Sequence, residues 1–189
     1  MQFTATRLSI PEIVLIAPQR LADARGSFMV TYERDEFRRL GLPEFVQENQ
    51  AHSTGAGTVR GLHFQRPPHA QAKLVRVIRG AVFDVAVDIR EKSPTFGKYT
   101  SRTLTAATAE QLFVPRGFAH GYCTLEDDTE VAYRCDSPYA LLADAGILFS
   151  DAAIGIAWPV KPEVAILSDR DRALPLFRDA VPFPLALPQ

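Results

Sequence analysis

The chain has 189 residues, of which 47% are hydrophobic and 23% are charged, and its formal net charge is −1. This composition excludes a disordered chain and supplies ample material for a core. The balanced charge lacks the basic excess typical of proteins that bind duplex nucleic acid or anionic membranes, so neither partner is expected. No apolar run approaches the roughly 20 residues that a membrane-spanning helix needs.

Cysteine usage and the N-terminal sequence predict a cytoplasmic protein. Cys123 and Cys135 are too few for a disulfide framework and lack metal-binding spacing, so we interpret both as buried thiols in a reducing compartment. The N-terminus has no basic segment followed by a long apolar run, because its apolar stretch at residues 13–17 is only strand-sized. No signal peptide is therefore expected.

Strand patterns dominate the sequence. Helical periodicity is confined to two short segments, residues 35–40 and 169–177. Turn signals recur at short intervals, from the glycines at 55 and 57 to the aspartates at 127 and 128. Many short strands with regular turns indicate an antiparallel sandwich or barrel. We predict one domain, residues 1–189, in which arms of about 1–20 and 155–189 pack on a central barrel.

The clearest strand is residues 81–90, AVFDVAVDIR. Its period of two predicts one apolar face and a second face that carries the carboxylates Asp84 and Asp88. The apolar face consists of Phe83, Val85, Val87 and Ile89. A chain with so many strands and extended arms can also dimerise by exchanging edge strands, which hides those edges.

Two of the four histidines have notable surroundings. His63 lies in VRGLHFQ (59–65), and His120 lies in VPRGFAHGY (114–122), a turn that enters a strand. If residues 59–65 form a regular strand, Arg60 faces away from His63. The residues expected to share the His63 face are Val59, Gly61 and Gln65.

The sequence disfavours a metal site. The spacing of His63 and His120 resembles the two half-motifs of the cupin superfamily, whose metal-binding members carry His-x-His and then Glu in the first half. Here Gln65 stands at the second His position, and no Glu lies between Gln65 and Gly80. A stable divalent site needs three or more ligands, so no metal is predicted. Both histidines could equally be hydrogen-bonded barrel residues.

Acid–base chemistry fits the residues better. Histidine is the residue type whose free side chain titrates near neutrality, so His63 is the candidate base. Such a base needs a carboxylate on its other ring nitrogen, and Asp84, Asp88 and Asp171 are the candidates. Facing it there should be an acid, for which Tyr133 in EVAYRC (130–135) is available.

Arg60 and Lys73 flank the same central strands and could stabilise an oxyanion or a phosphate. Sequence spacing leaves open whether these side chains meet in space. The two cations could be solvated, and Tyr133 could be a packing residue.

Taken together, the motifs resemble those of the dTDP-4-dehydrorhamnose 3,5-epimerase family. The resemblance spans residues 5–177 in the family's order and implies a metal-free cupin jelly roll, usually a homodimer, that acts on a nucleotide sugar without a cofactor. The matching blocks are DARGSF (23–28), FVQENQAHS (45–53), VRGLHFQ (59–65), QAKLVRVIRGAVFDVAVDIR (71–90), SPTFG (93–97), VPRGFAHGY (114–122), IGIAWP (154–159) and LSDRD (167–171).

The resemblance also implies a role for individual residues. His63 matches the proton acceptor, Tyr133 the proton donor, Asp171 the carboxylate that pairs with the histidine, and Lys73 the cation beside the keto oxygen. Tyr139 matches an aromatic that stacks on the base. The remaining matches to substrate-binding positions are Arg25, Gln47, Asn49, Arg60, His120, Asp144 and Arg170. The same resemblance implies that a partner's strand helps to complete the site.

Four positions depart from the family pattern. Val30 and Asp144 stand where the family has Glu, Arg170 where it has Lys, and Pro138 where a second aromatic is frequent. These departures concern sugar-nucleotide contacts, so they leave the exact nucleotide, the sugar and the number of inverted centres open. The alternatives are an epimerase that inverts one carbon, a non-catalytic cupin that binds a sugar nucleotide, and a metal-dependent cupin oxygenase.

Overall fold

The computed structural model describes residues 2–180 and residue 183, and its secondary structure is almost entirely β. The predicted all-β class with short C-terminal helices is confirmed. The helices are α1 (Arg34–Arg39) and α2 (Asp169–Arg172), with 3₁₀ turns at Leu141–Ala143 and Phe177–Asp179. The strands are β1 (Phe3–Arg7), β2 (Val14–Pro18), β3 (Leu21–Asp23), β4 (Gly26–Phe28), β5 (Gln47–Ser53), β6 (Val59–Gln65), β7 (Lys73–Arg79), β8 (Ala81–Asp88), β9 (Tyr99–Thr105), β10 (Gln111–Val114), β11 (Phe118–Thr124), β12 (Thr129–Cys135) and β13 (Asp144–Gly146).

Two antiparallel sheets build the sandwich. One has six strands in the order β1-β2-β10-β7-β12-β5, and the other has five in the order β13-β6-β11-β8-β9. Strands β3 and β4 pair only with each other, as a separate hairpin. The non-consecutive neighbours mean that the chain crosses repeatedly between the sheets, so residues far apart in sequence meet at one end of the sandwich.

The main core lies between the two sheets. Val75 and Leu112 of the first sheet pack with Val82, Leu104 and Phe118 of the second, and all five are buried. Burying each such side chain contributes about 1.5–3 kcal/mol. This apolar filling occupies part of the space between the sheets, and the polar inward-facing residues described below line the remainder.

The outer face of the six-stranded sheet is covered by α1. Phe37 of this helix is fully buried beside Phe3 and Leu74. Glu33 caps the helix, since its carboxylate accepts hydrogen bonds from two amides of the first turn. Val30 packs against the same cluster. Its apolar side chain is partly buried in this packing, and its expected position toward the nucleotide contacts stays a prediction.

The outer face of the five-stranded sheet is covered by the C-terminal segment. Val85 and Val87 pack with Ile154, Trp158 and Phe177. The alternation predicted for residues 81–90 is present, yet both faces are buried because this segment covers one of them. The described part of the C-terminal segment thus packs on the sandwich. Residues 1, 181–182 and 184–189 of the predicted arms lie outside the described residues.

The second predicted helix, residues 169–177, is only partly formed. α2 ends at Arg172, and a separate 3₁₀ turn begins at Phe177. Pro175 explains the early end, because the ring of a proline disfavours helical conformation at the residue before it. Ser168 caps α2, since its Oγ accepts a hydrogen bond of 3.1 Å from the amide of Asp171.

Candidate active site

An irregularity in β6 brings Arg60 and His63 to the same face. On β11, His120 pairs with His63 of β6. Tyr122 lies two residues after His120, but its partner Arg60 lies three residues before His63. The extra residue on β6 shifts the alternation by one. The regular-strand prediction that Arg60 faces away from His63 is therefore wrong. Arg60 lines the same cavity and bonds Ser53 Oγ at 3.2 Å and the carbonyl of His52 at 2.9 Å.

Gly61 permits this irregularity. Its φ of +136° is a conformation that side chains with a Cβ rarely adopt. A Cβ at Gly61 would also lie 2.6 Å from the Cα of Gly121 on β11. Gly121 faces the same restriction, since its own Cβ would lie 2.8 Å from the carbonyl oxygen of Arg60. The two glycines thus allow the close strand approach that positions His63.

His63 is held by Asp171. Its Nε2 lies 2.7 Å from Asp171 Oδ1, and the amide of Gly61 donates to Asp171 Oδ2 at 3.3 Å. The carboxylate is nearly buried, whereas about a quarter of the His63 side chain is exposed. The short helix α2 therefore presents Asp171 from behind the imidazole and leaves the other ring edge open.

The protonation state follows from this contact. Burial alone would raise the pKa of Asp171, but the hydrogen bond from His63, the Gly61 amide and the nearby Arg170 guanidinium outweigh burial and hold it below its usual value. An ionised carboxylate only accepts hydrogen bonds, so Nε2 of His63 carries the hydrogen. In the neutral ring Nδ1 then has the free lone pair that a base requires.

Tyr133 and Lys73 come from the opposite sheet. Tyr133 lies on β12, and Lys73 on the neighbouring strand β7, with its Nζ 5.9 Å from the centre of the Tyr133 ring. Burial raises the pKa of Tyr133 and lowers the pKa of Lys73. The phenol therefore stays protonated at neutral pH, and the ammonium loses its proton more readily than a free lysine does.

Two adjoining cavities meet at these residues. The larger has a volume of about 480 Å³ and the smaller about 160 Å³. His63, Lys73, Tyr133 and Arg170 line both. The larger is further lined by Ala51, Thr58, Val59, Arg60, His120, Tyr122, Ile166, Leu167, Ser168 and Asp171, and the smaller by Gln47, Asn49, Phe64, Gln65, Gln71, Tyr139 and Asp144.

The three candidate carboxylates have separate partners. Asp171 contacts His63, as described above. Asp84 is fully buried, and its two oxygens lie 2.9 and 3.0 Å from Nε2 of His120. Asp88 instead accepts hydrogen bonds from Arg90 and from two hydroxyls near it in sequence. His63 and His120 are therefore each held by their own buried carboxylate, Asp171 and Asp84.

A hydrogen-bonded chain borders the smaller cavity. Gln47 donates to Asn49 Oδ1 at 2.9 Å and accepts from the amide of Tyr139 at 2.9 Å. The Tyr139 hydroxyl donates to Asp144 Oδ2 at 2.9 Å, and Arg170 contacts the same oxygen at 2.7 Å. Five of the predicted substrate-binding residues are thus brought together. The arrangement offers amide, phenol and guanidinium donors to a polar ligand.

Arg25 is the predicted site residue that the chain does not bring to the cavities. It lies in the β3–β4 hairpin, where its guanidinium contacts Asp23 at 2.7 Å and its side chain is 91% exposed. The hairpin pairs with neither large sheet, and none of its residues lines either cavity.

Gln65 and Tyr122 also line the cavities, although the sequence motifs indicate no site role for either. Gln65 is buried, donates to the carbonyls of His69 and Pro138, and accepts from the amide of Ala140, so it braces the segment that carries Tyr139. Tyr122 lines the larger cavity. Its position two residues after His120 in a strand was a usable signal, because such residues share a face.

Other site types find little support in the described part of the chain. Within it, no three His, Cys, Asp or Glu residues are grouped so that they could hold a metal ion. No helix found there is long and apolar enough to span a membrane. Cys123 and Cys135 are both buried, free thiols, as predicted.

The fold and site define a class, a two-sheet jelly roll whose polar cavity lies between the sheets. The family model for dTDP-4-dehydrorhamnose 3,5-epimerase matches residues 7–179. A curated dTDP-4-dehydrorhamnose 3,5-epimerase from Sinorhizobium fredii is 48% identical over 172 residues, which cover 89% of this chain and 86% of that protein. The chain belongs to the dTDP-4-dehydrorhamnose 3,5-epimerase family, as the motifs indicated.

Solved structures agree with this assignment. The Bacillus anthracis epimerase, crystallised with TDP and PPi, has a TM-score of 0.89 at 43% identity and covers 92% of this chain and 99% of its own. A Legionella pneumophila 3,5-epimerase in complex with dTDP-4-keto-L-rhamnose has a TM-score of 0.89 at 36% identity, covering 94% of each chain. These matches confirm the predicted cupin-type jelly roll.

The fold alone does not distinguish an epimerase that inverts one carbon from an epimerase that inverts two. A 3′-monoepimerase from Streptomyces bikiniensis has a TM-score of 0.85 at 33% identity and covers 91% of this chain and 87% of its own. Both kinds of enzyme therefore share this architecture, and labelling of the sugar must distinguish them.

Proposed function

We propose that the chain inverts carbons 3 and 5 of dTDP-4-dehydro-6-deoxy-glucose to give dTDP-4-dehydro-L-rhamnose. The observation that carries this proposal is the His63–Asp171 pair on one sheet with Tyr133 and Lys73 on the other, all around adjoining cavities. The chain is 48% and 43% identical to two 3,5-epimerases but 33% identical to the monoepimerase. These identities support inversion of two carbons rather than one.

His63 is the base in this proposal. Hydrogens on carbons 3 and 5 are acidic because the ketone at carbon 4 delocalises the negative charge that their removal leaves. Nδ1 of His63 takes one of these protons, and the ionised Asp171 stabilises the resulting imidazolium through Nε2. Such a positioned base contributes about 10²–10⁴-fold to the rate.

Lys73 stabilises the enolate. Proton removal places negative charge on the keto oxygen, and an ammonium group in a largely dehydrated cavity interacts with that charge strongly. A preorganised donor of this kind lowers a barrier by about 3–4 kcal/mol. Burial lowers the pKa of Lys73 in the free protein, so the developing oxyanion also restores the charged form that stabilises it.

Tyr133 returns the proton from the other side. It belongs to the six-stranded sheet, whereas His63 belongs to the five-stranded sheet, so a sugar ring between the sheets has one group on each side. Delivery from the face opposite to removal inverts the carbon. Burial keeps the pKa of Tyr133 high, which favours the protonated phenol that a donor needs. The scheme uses neither a metal nor a redox cofactor.

The remaining residues hold the nucleotide sugar. Arg60 and His120 line the larger cavity, and the forked guanidinium of Arg60 suits a pyrophosphate oxygen. Tyr139 is 53% exposed beside the smaller cavity, where its ring can stack on the base. Gln47, Asn49, Asp144 and Arg170 surround the same cavity and supply polar contacts.

We further propose a cytoplasmic homodimer in which the β3–β4 hairpin reaches the partner's site. Leu21 and Phe28 of this hairpin are 58% and 67% exposed, which is unfavourable for an isolated chain. Arg25 at its turn would then add a cation to the partner's phosphate-binding region. Light scattering tests the dimer, and an Arg25→Ala variant that keeps full affinity for dTDP would refute the role of Arg25.

Solvent labelling tests the reaction. The protein is incubated with dTDP-4-dehydro-6-deoxy-glucose in heavy water, and NMR locates the deuterium in the sugar. The proposal predicts label at both carbon 3 and carbon 5. Label at carbon 3 alone after long incubation would assign the chain to the single-centre enzymes. No label at either carbon would contradict the proposed reaction and favour another sugar nucleotide or a binding function.

A further inference from the structure

Tyr122 has a buried hydroxyl that the mechanism above does not use. The residue is 4% exposed, and its hydroxyl is buried without a hydrogen-bond partner in the described part of the chain. A buried polar group normally has a partner, because leaving it unpaired costs stability. A tyrosine in which the oxygen serves no purpose would be expected to be a phenylalanine.

The position of Tyr122 indicates a ligand contact. It lines the larger cavity together with His63, Lys73 and Tyr133. It pairs with Arg60 on β6 and with Asp84 on β8, and it lies on the His120 face of β11. Tyr122 thus belongs to the wall of the larger cavity beside His63, Lys73 and Tyr133, whereas Tyr139 lines only the smaller cavity.

We infer that the Tyr122 hydroxyl forms a hydrogen bond with an oxygen of the hexose, and that it helps to select the sugar. This inference rests on the proposed nucleotide-sugar substrate. A tyrosine hydroxyl rotates about its C–O bond and both donates and accepts, so it can pair with a sugar hydroxyl or with the keto oxygen. The oxygen is buried in the free chain, so the wall of the larger cavity shifts when the hexose reaches it.

Comparing the Tyr122→Phe and Tyr99→Phe variants isolates the contribution of the Tyr122 hydroxyl to stability and binding. The first change removes an unpaired atom and keeps the ring in the core, so the folded protein should gain thermal stability. Tyr99 is the matched control, because its hydroxyl accepts a hydrogen bond from the amide of Ala157 and it lies outside both cavities. Tyr99→Phe should lose stability and keep wild-type binding and turnover.

Calorimetry with dTDP and with dTDP-glucose provides the test. Tyr122→Phe should bind dTDP as wild type does, bind dTDP-glucose about 10-fold more weakly, and lose a similar factor in kcat/KM on the keto sugar. Unchanged affinity for dTDP-glucose, or equal weakening for both ligands, would overturn the inference. Wild-type protein that neither binds dTDP-glucose nor turns over the keto sugar would instead refute the proposed function, and the inference with it.

Discussion

Nε2 of His63 and Oδ1 of Asp171 lie 2.7 Å apart although 108 positions separate the two residues in the chain. The strand β6 supplies the imidazole, and the four-residue helix α2 supplies the carboxylate. The Gly61 amide holds the second carboxylate oxygen, so the backbone irregularity and the His63–Asp171 contact form one unit. Several consequences of this geometry can be measured.

Asp171→Asn should reduce kcat by about 10²-fold while the fold persists. The neutral amide is isosteric, but it neither stabilises an imidazolium nor fixes the hydrogen on Nε2. The loss should be smaller than that caused by removing His63 itself. Steady-state kinetics measure the change, with Asp169→Asn, two residues earlier on the same helix and exposed, as the control. A wild-type kcat for Asp171→Asn would remove Asp171 from the mechanism.

Tyr133→Phe should separate proton exchange from inversion. His63 can still remove a proton and return a solvent-derived one from the same face, because the base does not depend on the phenol. Deuterium should therefore enter the substrate without a change of configuration, and product should fall by about 10²–10⁴-fold. NMR of the recovered sugar detects both outcomes. Inversion at an undiminished rate would show that another group delivers the proton.

The alkaline limit of kcat/KM should reflect Lys73. Burial lowers its pKa, so as the pH rises the required ammonium is lost before a free lysine would lose it. Tyr133 does not set this limit, because burial raises its pKa and the phenol stays protonated to higher pH. An arginine at this position stays charged across the whole alkaline range. The Lys73→Arg variant should therefore keep its kcat/KM to higher pH than the wild type, whatever its absolute kcat. Lys98→Arg on the surface should leave the profile unchanged, and an unmoved limit in Lys73→Arg would reject this role.

Chelation should leave the activity intact. The described residues contain no cluster of three metal-binding side chains, and the proposed chemistry needs none. Protein purified with a strong chelator and assayed in metal-free buffer should retain its wild-type kcat. Activity that disappears on chelation and returns with a divalent ion would contradict the proposed scheme.

The sequence predicted the parts of this fold that depend on local patterns. The alternation at residues 81–90 and the short segment at residues 35–40 correspond to β8 and α1, since side-chain period is a local property. The face of Arg60 was predicted wrongly, because an irregular strand pairing depends on β11 as well as on β6. Spacing alone narrowed the partner of His63 to three aspartates, and only the family resemblance implied Asp171; the contact itself depends on the packing of α2 against β6.

Replacement of His63 by alanine tests the central claim most directly. The measurement is the rate at which deuterium from solvent enters carbons 3 and 5, compared with His69→Ala, a surface histidine outside both cavities. The account predicts that His63→Ala loses nearly all exchange at both carbons, at least about 10³-fold, while it still binds dTDP and melts as a folded protein. His69→Ala should exchange as wild type does. A His63→Ala variant that retains more than about a tenth of the wild-type rate would contradict the assignment of His63 as the base.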